Sequence, residues 1–351
     1  LTQTAALWKE DKNFSYRDGD EMSAHFPDAE TIRSALLLAL RAPSVHNSQP
    51  WRWAIGDRSL HLYADRGRQL PNTDPDGRDL LLSCGAALNH CATAFAALGW
   101  AARIHRFPDP ADADHLASIE LRRQTPADLD IALAAAIPRR RTDRRNYSHW
   151  PVAKGDLALV GARAARAGVT MRRIDDLSQL KLIVAEAVSR HSTDFAYTTE
   201  LAAWSGRYAA EAGVPARSTP VPDSAAMIPA RWFAGPALAQ PPDLDAAEDN
   251  ATVVALGTSS DDDLSRLRAG EATSVVLLTA TALGLATCPI TEPLEIPETR
   301  EAVRADVFGE EGYPQMLLRV GWAPVNSDPL PATPRRELAE VVARLHNSRP
   351  D

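Results

Sequence analysis

Two long apolar stretches, residues 80–98 and 264–283, constrain this chain more than any other feature. Each reads as a helix that is apolar nearly all round and ends on the same triplet, Ala97-Leu98-Gly99 and Ala282-Leu283-Gly284, with glycine as the usual left-handed stop. A helix without a polar face has to be covered on every side, so each is expected to run through a core. Around the first, the spacing predicts a helix at 32–40 that Asp28 caps, strands at 51–55 and 60–64 joined at Gly56-Asp57, a strand at 116–122 and a helix at 129–137. Around the second it predicts helices at 157–166 and 179–189, strands at 170–174, 252–256 and 316–320, and a closing helix at 337–345. The order of elements repeats more clearly than the local sequence does. We therefore expect two related halves, 29–137 and 138–351, behind an irregular polar segment, 1–28, to which no activity is assigned.

With 351 residues, 45% of them hydrophobic, the chain can bury a sizeable core. A formal net charge of -8 argues against nucleic-acid binding by the chain as a whole and leaves room for a local basic pocket. No run reads as long and uncharged enough to span a bilayer, since 275–286 is punctuated by Thr279, Thr281 and Gly284. Cys84, Cys91 and Cys288 lack metal-ligand spacing and read as buried reduced thiols, which suggests a cytoplasmic protein. His46, His61, His90 and His149 show no zinc-binding spacing, and no Gly-x-Ser-x-Gly elbow is present, so neither a metal site nor a hydrolytic nucleophile is expected. Trp51 and Trp53 read as core and cross-strand packing.

Residues 41–51, Arg-Ala-Pro-Ser-Val-His-Asn-Ser-Gln-Pro-Trp, interrupt a helix just before a strand with hydroxyl, amide and backbone groups. Such a corner can grip a ligand; Ser44 and Asn47 can equally satisfy local backbone groups in an ordinary turn. The run resembles the Ala-Pro-Ser-x-x-Asn-x-Gln-Pro-Trp segment of the nitroreductase superfamily, flavin-dependent α+β enzymes that hold FMN at a dimer interface. The resemblance implies that Pro43, Ser44, Val45, Asn47 and Gln49 lie along the flavin; His46, within the same run, reads first as a hydrogen-bonded turn histidine and second as a residue that tunes the pocket. Gly270-Glu271-Ala272, continuing through Leu283-Gly284-Leu285 to Thr287, is similar to the family's helix before the flavin-edge loop. That loop is here Cys288-Pro289-Ile290-Thr291-Glu292, and the likeness implies that the amides of Thr291 and Glu292 donate to flavin N5 and O4.

The most basic stretch, 139–145, contains Arg140, Thr142 and Arg144 at the spacing of the family's Arg-x-Ser-x-Arg/Lys signature. This implies that Arg140 grips the FMN phosphate, Thr142 assists, and Arg144 approaches the N1/O2 side. Guanidinium suits that task, because its donors pair with two phosphate oxygens at once. Pro334-Arg335-Arg336-Glu337-Leu338, after Val320-Gly321-Trp322-Ala323-Pro324, resembles the family's closing basic residues, with Arg336 the first choice for the phosphate and Arg335 the second.

These parts are unevenly shared. The first half has the Ala-Pro-Ser run without an arginine signature before it; the second has the signature, but its 163–170 segment reads Arg-Ala-Ala-Arg-Ala-Gly-Val-Thr where the run belongs. The chain thus resembles the Acg-like branch, in which two nitroreductase-like halves are fused. That implies mostly antiparallel sheets flanked by helices, pseudo-symmetric halves that mimic a homodimer, and a monomer with one FMN site. The implied activity is NAD(P)H-dependent reduction of nitroaromatic or quinone acceptors in a ping-pong cycle, flavin N5 carrying the chemistry and no side chain acting as catalyst. No glycine-rich dinucleotide fingerprint follows a strand, so a nicotinamide would stack on the flavin. Residues 209–250, rich in Pro and Ala with Met227, Trp232 and Phe233, read as a lid. A closed lid favours the alternative, a protein that stores or sequesters FMN with little or no reductase activity.

Overall fold

The computed structural model describes residues 26–207, 211–223, 226–240, 249–324 and 327–345. Most of the 1–28 segment, and residues 209–210, 224–225 and 241–248 of the 209–250 insertion, lie outside the described residues.

The first unit starts with α1 (Ala29–Ala39), whose first turn is capped by the Asp28 carboxylate accepting from Thr31 N at 2.7 Å. The hairpin β1 (Trp51–Ile55) and β2 (Leu60–Ala64) follows, then α2 (Arg78–Ala97), β3 (Trp100–Arg106), β4 (His115–Arg123) and α3 (Asp128–Ala136). The second unit contains α4 (Lys154–Arg166), β5 (Thr170–Ile174), α5 (Ser178–Thr193), α6 (Phe195–Ala203), and the short strands β6 (Ser205–Arg207) and β7 (Val214–Pro215). It continues through β8 (Thr252–Thr258), α7 (Asp263–Ala282), β9 (Ala286–Ile290), α8 (Glu292–Glu295), α9 (Pro297–Val303) and β10 (Tyr313–Gly321). A single helical turn, α10 (Leu338–Val341), leads into β11 (Val342–Arg344).

The strands form two larger sheets, β11-β1-β2-β4-β3 and β5-β8-β10-β9, and every pairing in them is antiparallel except β1 with β11. The expected closing helix at 337–345 is therefore mostly absent. It stops after one turn because Trp53, Ala54 and Ile55 offer Val342, Ala343 and Arg344 a sheet edge, and pairing there outweighs a weak local helix preference. β11 thereby joins the sheet that contains β1 to β4. Further elements not expected from spacing are β3, α6, the short strands β6 and β7, β9, and the short helices α8 and α9.

Helices α2 and α7 cross at the centre, each buried along most of its length. Leu267 of α7 belongs to the core built on the first sheet, and Leu82 of α2 to the core built on the second. The crossing is backbone against backbone. A Cβ on Gly85 would lie 2.1 Å from the Leu267 carbonyl oxygen, and one on Gly270 would lie 2.1 Å from that of Leu82, so only glycine fits at either point. Arg106 of β3 reinforces the joint, donating from Nε and Nη2 to both carboxylate oxygens of Glu271 at 2.6 and 2.7 Å.

By length and composition α2 does qualify as apolar enough to cross a membrane, which corrects the expectation that no run does; its most apolar window is 72% buried inside the fold. Its N-terminus is capped from a distance. Gly77 brings no side chain to the cap position, and the carboxylate of Asp74 accepts from Asp79 N at 2.9 Å and Leu80 N at 2.7 Å instead. Trp51 and Trp53 are core residues, and all three cysteines are buried free thiols.

Candidate flavin-type cofactor site

The 41–51 run leaves α1 in a conformation that ordinary residues avoid. His46, Asn47 and Gln49 have φ of 44, 55 and 52°, the left-handed region, at a cost on the order of 1 kcal/mol each. Hydrogen bonds hold them there. Val45 N donates to Ser83 Oγ on α2 at 3.1 Å, and Gln49 N donates to Ser44 Oγ at 2.9 Å. Asn47 Nδ2 reaches the carbonyls of Gly213 and Pro334, while Gln49 Nε2 donates to Glu211 O and its Oε1 accepts from Arg336 N. The turn thus ties α1 and α2 to the insertion and to the C-terminal segment.

Two adjoining cavities open against it, of about 170 and 60 Å³, sharing walls at Pro43, Ser44, His46, Thr142 and Arg144. The larger one is bounded by Val45 on one side and by Pro289, Ile290, Thr291 and Glu292 on another, with Leu82, Ala86 and Met316 supplying apolar surface. The smaller one is lined by Asn47, Arg140, Arg141 and Arg335. β9 runs through Ile290 and hands over to α8 at Glu292, so the expected 288–292 loop is a strand end joined to a helix start. Thr142 bridges to Thr287 of the same strand, which carries the arginine signature to the cavity mouth.

Thus twelve of the fourteen sequence-derived candidates border one cavity or both. Gln49 and Arg336 border neither. Gln49 is fully buried, and Arg336 pairs with Asp65 at 3.7 Å and Glu340 at 3.3 Å. Arg335, the second choice for the phosphate, is the one at the smaller cavity.

The electrostatics of that cavity are lopsided. Arg140 is only 6% exposed, and its Nε and Nη1 are buried without a hydrogen-bond partner among the described residues. Burial, and then the charges of Arg141 and Arg41, push its guanidinium down to about 10. Burial with Arg140, Arg41 and Arg141 holds Arg335 well below the usual arginine range, although carbonyls of Leu40, Arg41, Ala42, Thr333 and Pro334 accept its donors. Arg41 Nε is a further buried donor without a partner among the described residues. Clustered buried cations with unspent donors call for a multivalent oxyanion.

The larger cavity is roofed by the insertion, with Pro220, Ile228, Arg231 and Phe233 along its wall. Arg231 ties that roof down: Nη2 donates to Glu295 Oε1 at 2.5 Å and Thr291 Oγ1 at 3.1 Å, and Nη1 donates to His46 Nε2 at 2.9 Å. Burial works against this guanidinium, but the Glu295, Tyr197 and Glu292 side chains hold it above the usual arginine range. His46 accepts through Nε2 and is neutral, since burial, then Arg231, Arg144 and His191, hold it well below the usual imidazole value. Arg144 donates to Ser218 O at 3.0 Å and lies over the Phe233 ring at 5.0 Å. Arg231 and the first-turn Asp79 of α2 are cavity residues that sequence reasoning missed. Arg231 sits in a stretch without periodicity, and an Asp in a first helical turn reads as a dipole partner. Among the described residues no three His, Cys, Asp or Glu side chains converge as metal ligands.

Relatives share this sequence over nearly its whole length. "Putative NAD(P)H nitroreductase Rv3131" of Mycobacterium tuberculosis is 63% identical over 321 residues, covering 92% of this chain and 93% of that protein. The chain belongs to the nitroreductase family. Two other proteins of that organism are also similar. "Putative NAD(P)H nitroreductase acg" is 39% identical over 89% of this chain and 95% of its own length, and "Uncharacterized protein Rv3127" is 36% identical over 89% and 92%. No protein-family profile matches the chain. Solved nitroreductases with bound FMN are more distant. The Bacteroides fragilis protein is 14% identical with a TM-score of 0.37 over 56% of this chain and 90% of its own, and the Desulfitobacterium hafniense protein 11% identical with 0.39 over 61% and 98%.

Proposed function

We propose that this nitroreductase-family chain binds one FMN and is an NAD(P)H-dependent oxidoreductase acting on nitroaromatic or quinone acceptors in a ping-pong cycle. The observation that carries the reading is Arg140, a buried guanidinium with two unpartnered nitrogens in a small basic cavity that opens into a larger, partly apolar one. Those residues fit the group: Arg140 and Arg335 would hold the phosphate, with Thr142 beside them. Arg144 would face the N1/O2 side, and the backbone at Thr291 and Glu292 the N5 edge. Pro43, Ser44, Val45 and Asn47 would lie along the ring system and the phosphate arm, while Gln49 and Arg336 fix the turn that presents them. Bound FMN supplies the hydride-carrying centre. The chain's residues orient it, and positive charge at Arg144 favours electron uptake by electrostatic preorganisation.

The reading also takes the chain as two fused nitroreductase-like halves acting as an internal pseudo-dimer and monomer. The crossing of α2 and α7, each entering the other unit's core, supports it. A second reading, FMN storage, is favoured by one observation: Arg231 and Phe233 cover the cavity from the insertion, and Arg231 is bonded to both side walls. Anaerobic titration of the FMN-loaded protein with NADPH and then NADH separates the two. Rapid bleaching of the flavin band, reversed by benzoquinone or a nitroaromatic, is the expected result. Bound flavin that resists both nicotinamides would select storage, and failure to bind FMN would overturn both.

A further inference from the structure

Asp79 is an acid inside the larger cavity that cofactor binding does not use. Its side chain is 4% exposed and lines the cavity from the first turn of α2. The turn is tied to the Ala-Pro-Ser run, because Ser83 Oγ donates to the Asp79 carbonyl at 2.6 Å and accepts from Val45 N. One carboxylate oxygen accepts from Arg78 Nη1 at 2.9 Å, while Arg78 also donates to the carbonyls of Pro314 and Gln315 and to the Gln315 side chain. The other acid on the cavity wall, Glu292, is engaged with His191 Nδ1 at 3.2 Å.

We infer that Asp79 is the proton donor of this cavity, delivering its proton to an oxygen of the acceptor as the acceptor is reduced. The inference rests on the oxidoreductase reading and deepens it: the preferred acceptors carry a carbonyl or nitro oxygen that must be protonated. Reduction of a quinone to its hydroquinone requires two electrons and two protons. Bound FMN would supply both electrons and one hydrogen as hydride. The remaining proton comes from the Asp79 O–H bond, whose electron pair stays on the carboxylate, and water returns it afterwards. A nitro group takes the same hydride and proton to give the N,N-dihydroxy compound, which loses water to the nitroso product.

Charge around Asp79 supports the assignment. Burial pushes its carboxyl up to about 8; Arg78 opposes the rise, Asp74 from the preceding loop and Glu295 from α8 add to it, and Arg231 from the insertion opposes it. A carboxylic acid kept neutral by burial can donate near neutral pH.

The test compares the FMN-loaded wild type with Asp79→Asn and Asp79→Glu. After anaerobic reduction by NADPH, reoxidation by benzoquinone is expected to slow roughly 100-fold or more in Asp79→Asn and to recover in Asp79→Glu, the usual scale of a general acid. FMN affinity and the rate of reduction by NADPH are measured in both variants, and a loss at reoxidation that exceeds any change in those two is the signature of a proton donor. Infrared spectroscopy of the oxidised protein gives an independent readout. A carboxylic-acid carbonyl band should fade as pH rises through about 8, shift when benzoquinone is added, and be missing from Asp79→Asn. Equal reoxidation rates, or no band that the substitution removes, would overturn the inference. A wild type that NADPH and NADH cannot reduce would instead defeat the oxidoreductase reading, and the quinone-sensitive band would still decide Asp79. Should Asp79→Asn not fold, the infrared titration of the wild type against Asp79→Glu decides the same question.

Discussion

Replacing Arg140 with methionine should move stability and cofactor affinity in opposite directions. Methionine keeps the length and bulk of the stem and removes a charge whose Nε and Nη1 have no partner. A guanidinium held at about 10, well below the usual arginine range, is disfavoured in the folded protein by roughly 3 kcal/mol, at ~1.4 kcal/mol per pH unit, treated as an upper bound. The sign follows from linkage: a cation with a lowered folded value penalises folding at every pH below that value, and the penalty fades only as pH rises from about 10 towards the ordinary arginine value. At neutral pH it is fully present, so Arg140→Met without ligand should melt a few degrees higher, on the order of 1–3 kcal/mol. The same change removes charged hydrogen bonds to a buried phosphate, each worth about 1.5–3 kcal/mol, so FMN affinity should fall by roughly 10–100-fold. Riboflavin, which has no phosphate, provides the control. Its affinity should be unchanged, and calorimetric titration of FMN and riboflavin into both proteins measures the difference directly. A variant that melts lower without ligand and binds FMN as tightly as wild type would refute both the buried-cation argument and the phosphate assignment.

Gly85→Ala would force the α2–α7 crossing apart, since its Cβ meets backbone that cannot turn aside; a loss of at least about 1–3 kcal/mol in urea unfolding is expected, and a near-neutral result would contradict the crossing. Between about pH 4 and 8 stability should fall as pH rises, because the raised carboxyls of Asp79 and Asp74 keep their protons in the folded state after the unfolded chain has released them. Chemical denaturation across that range checks it, and Asp79→Asn should flatten the part above about 6, where Asp74 has titrated. Arg231→Met combined with Glu295→Gln, which avoids leaving an unpaired buried carboxylate, should speed FMN release measured by stopped-flow fluorescence; unchanged release would mean that the insertion does not hold the cofactor in. Ser44→Ala removes the acceptor for Gln49 N and should cost on the order of 1 kcal/mol of thermal stability, with a cost near zero showing that the turn does not depend on it.

What the sequence made legible, and what it hid, divides along physical lines. The hairpin at 51–55 and 60–64 and the helix at 29–39 follow from nearest-neighbour patterns, and spacing alone located them. The two apolar helices were legible because a helix with little polar face has to be covered on every side. Arg140, Thr142 and Arg144 were reached through the resemblance to the family's arginine signature, and they meet the cavities together because three residues at fixed spacing ride on one extended stretch. Arg335 and Arg336 were harder. Adjacent residues on an extended chain point opposite ways, and which one faces the cavity depends on where β11 docks, a contact made with β1 almost three hundred residues earlier. β11 itself is set by that docking, which is why a helical pattern lost to a sheet edge. Arg231 and Asp79 were hidden for the same reason in stronger form. Arg231 takes its role from His46, Thr291 and Glu295, none of them near it in sequence. Asp79 takes its role from burial, which turns an ordinary first-turn acid into a group that carries a proton at neutral pH. Local pattern together with the family resemblance therefore pointed to the walls of the cavity, and long-range packing set the environment of the groups facing into it.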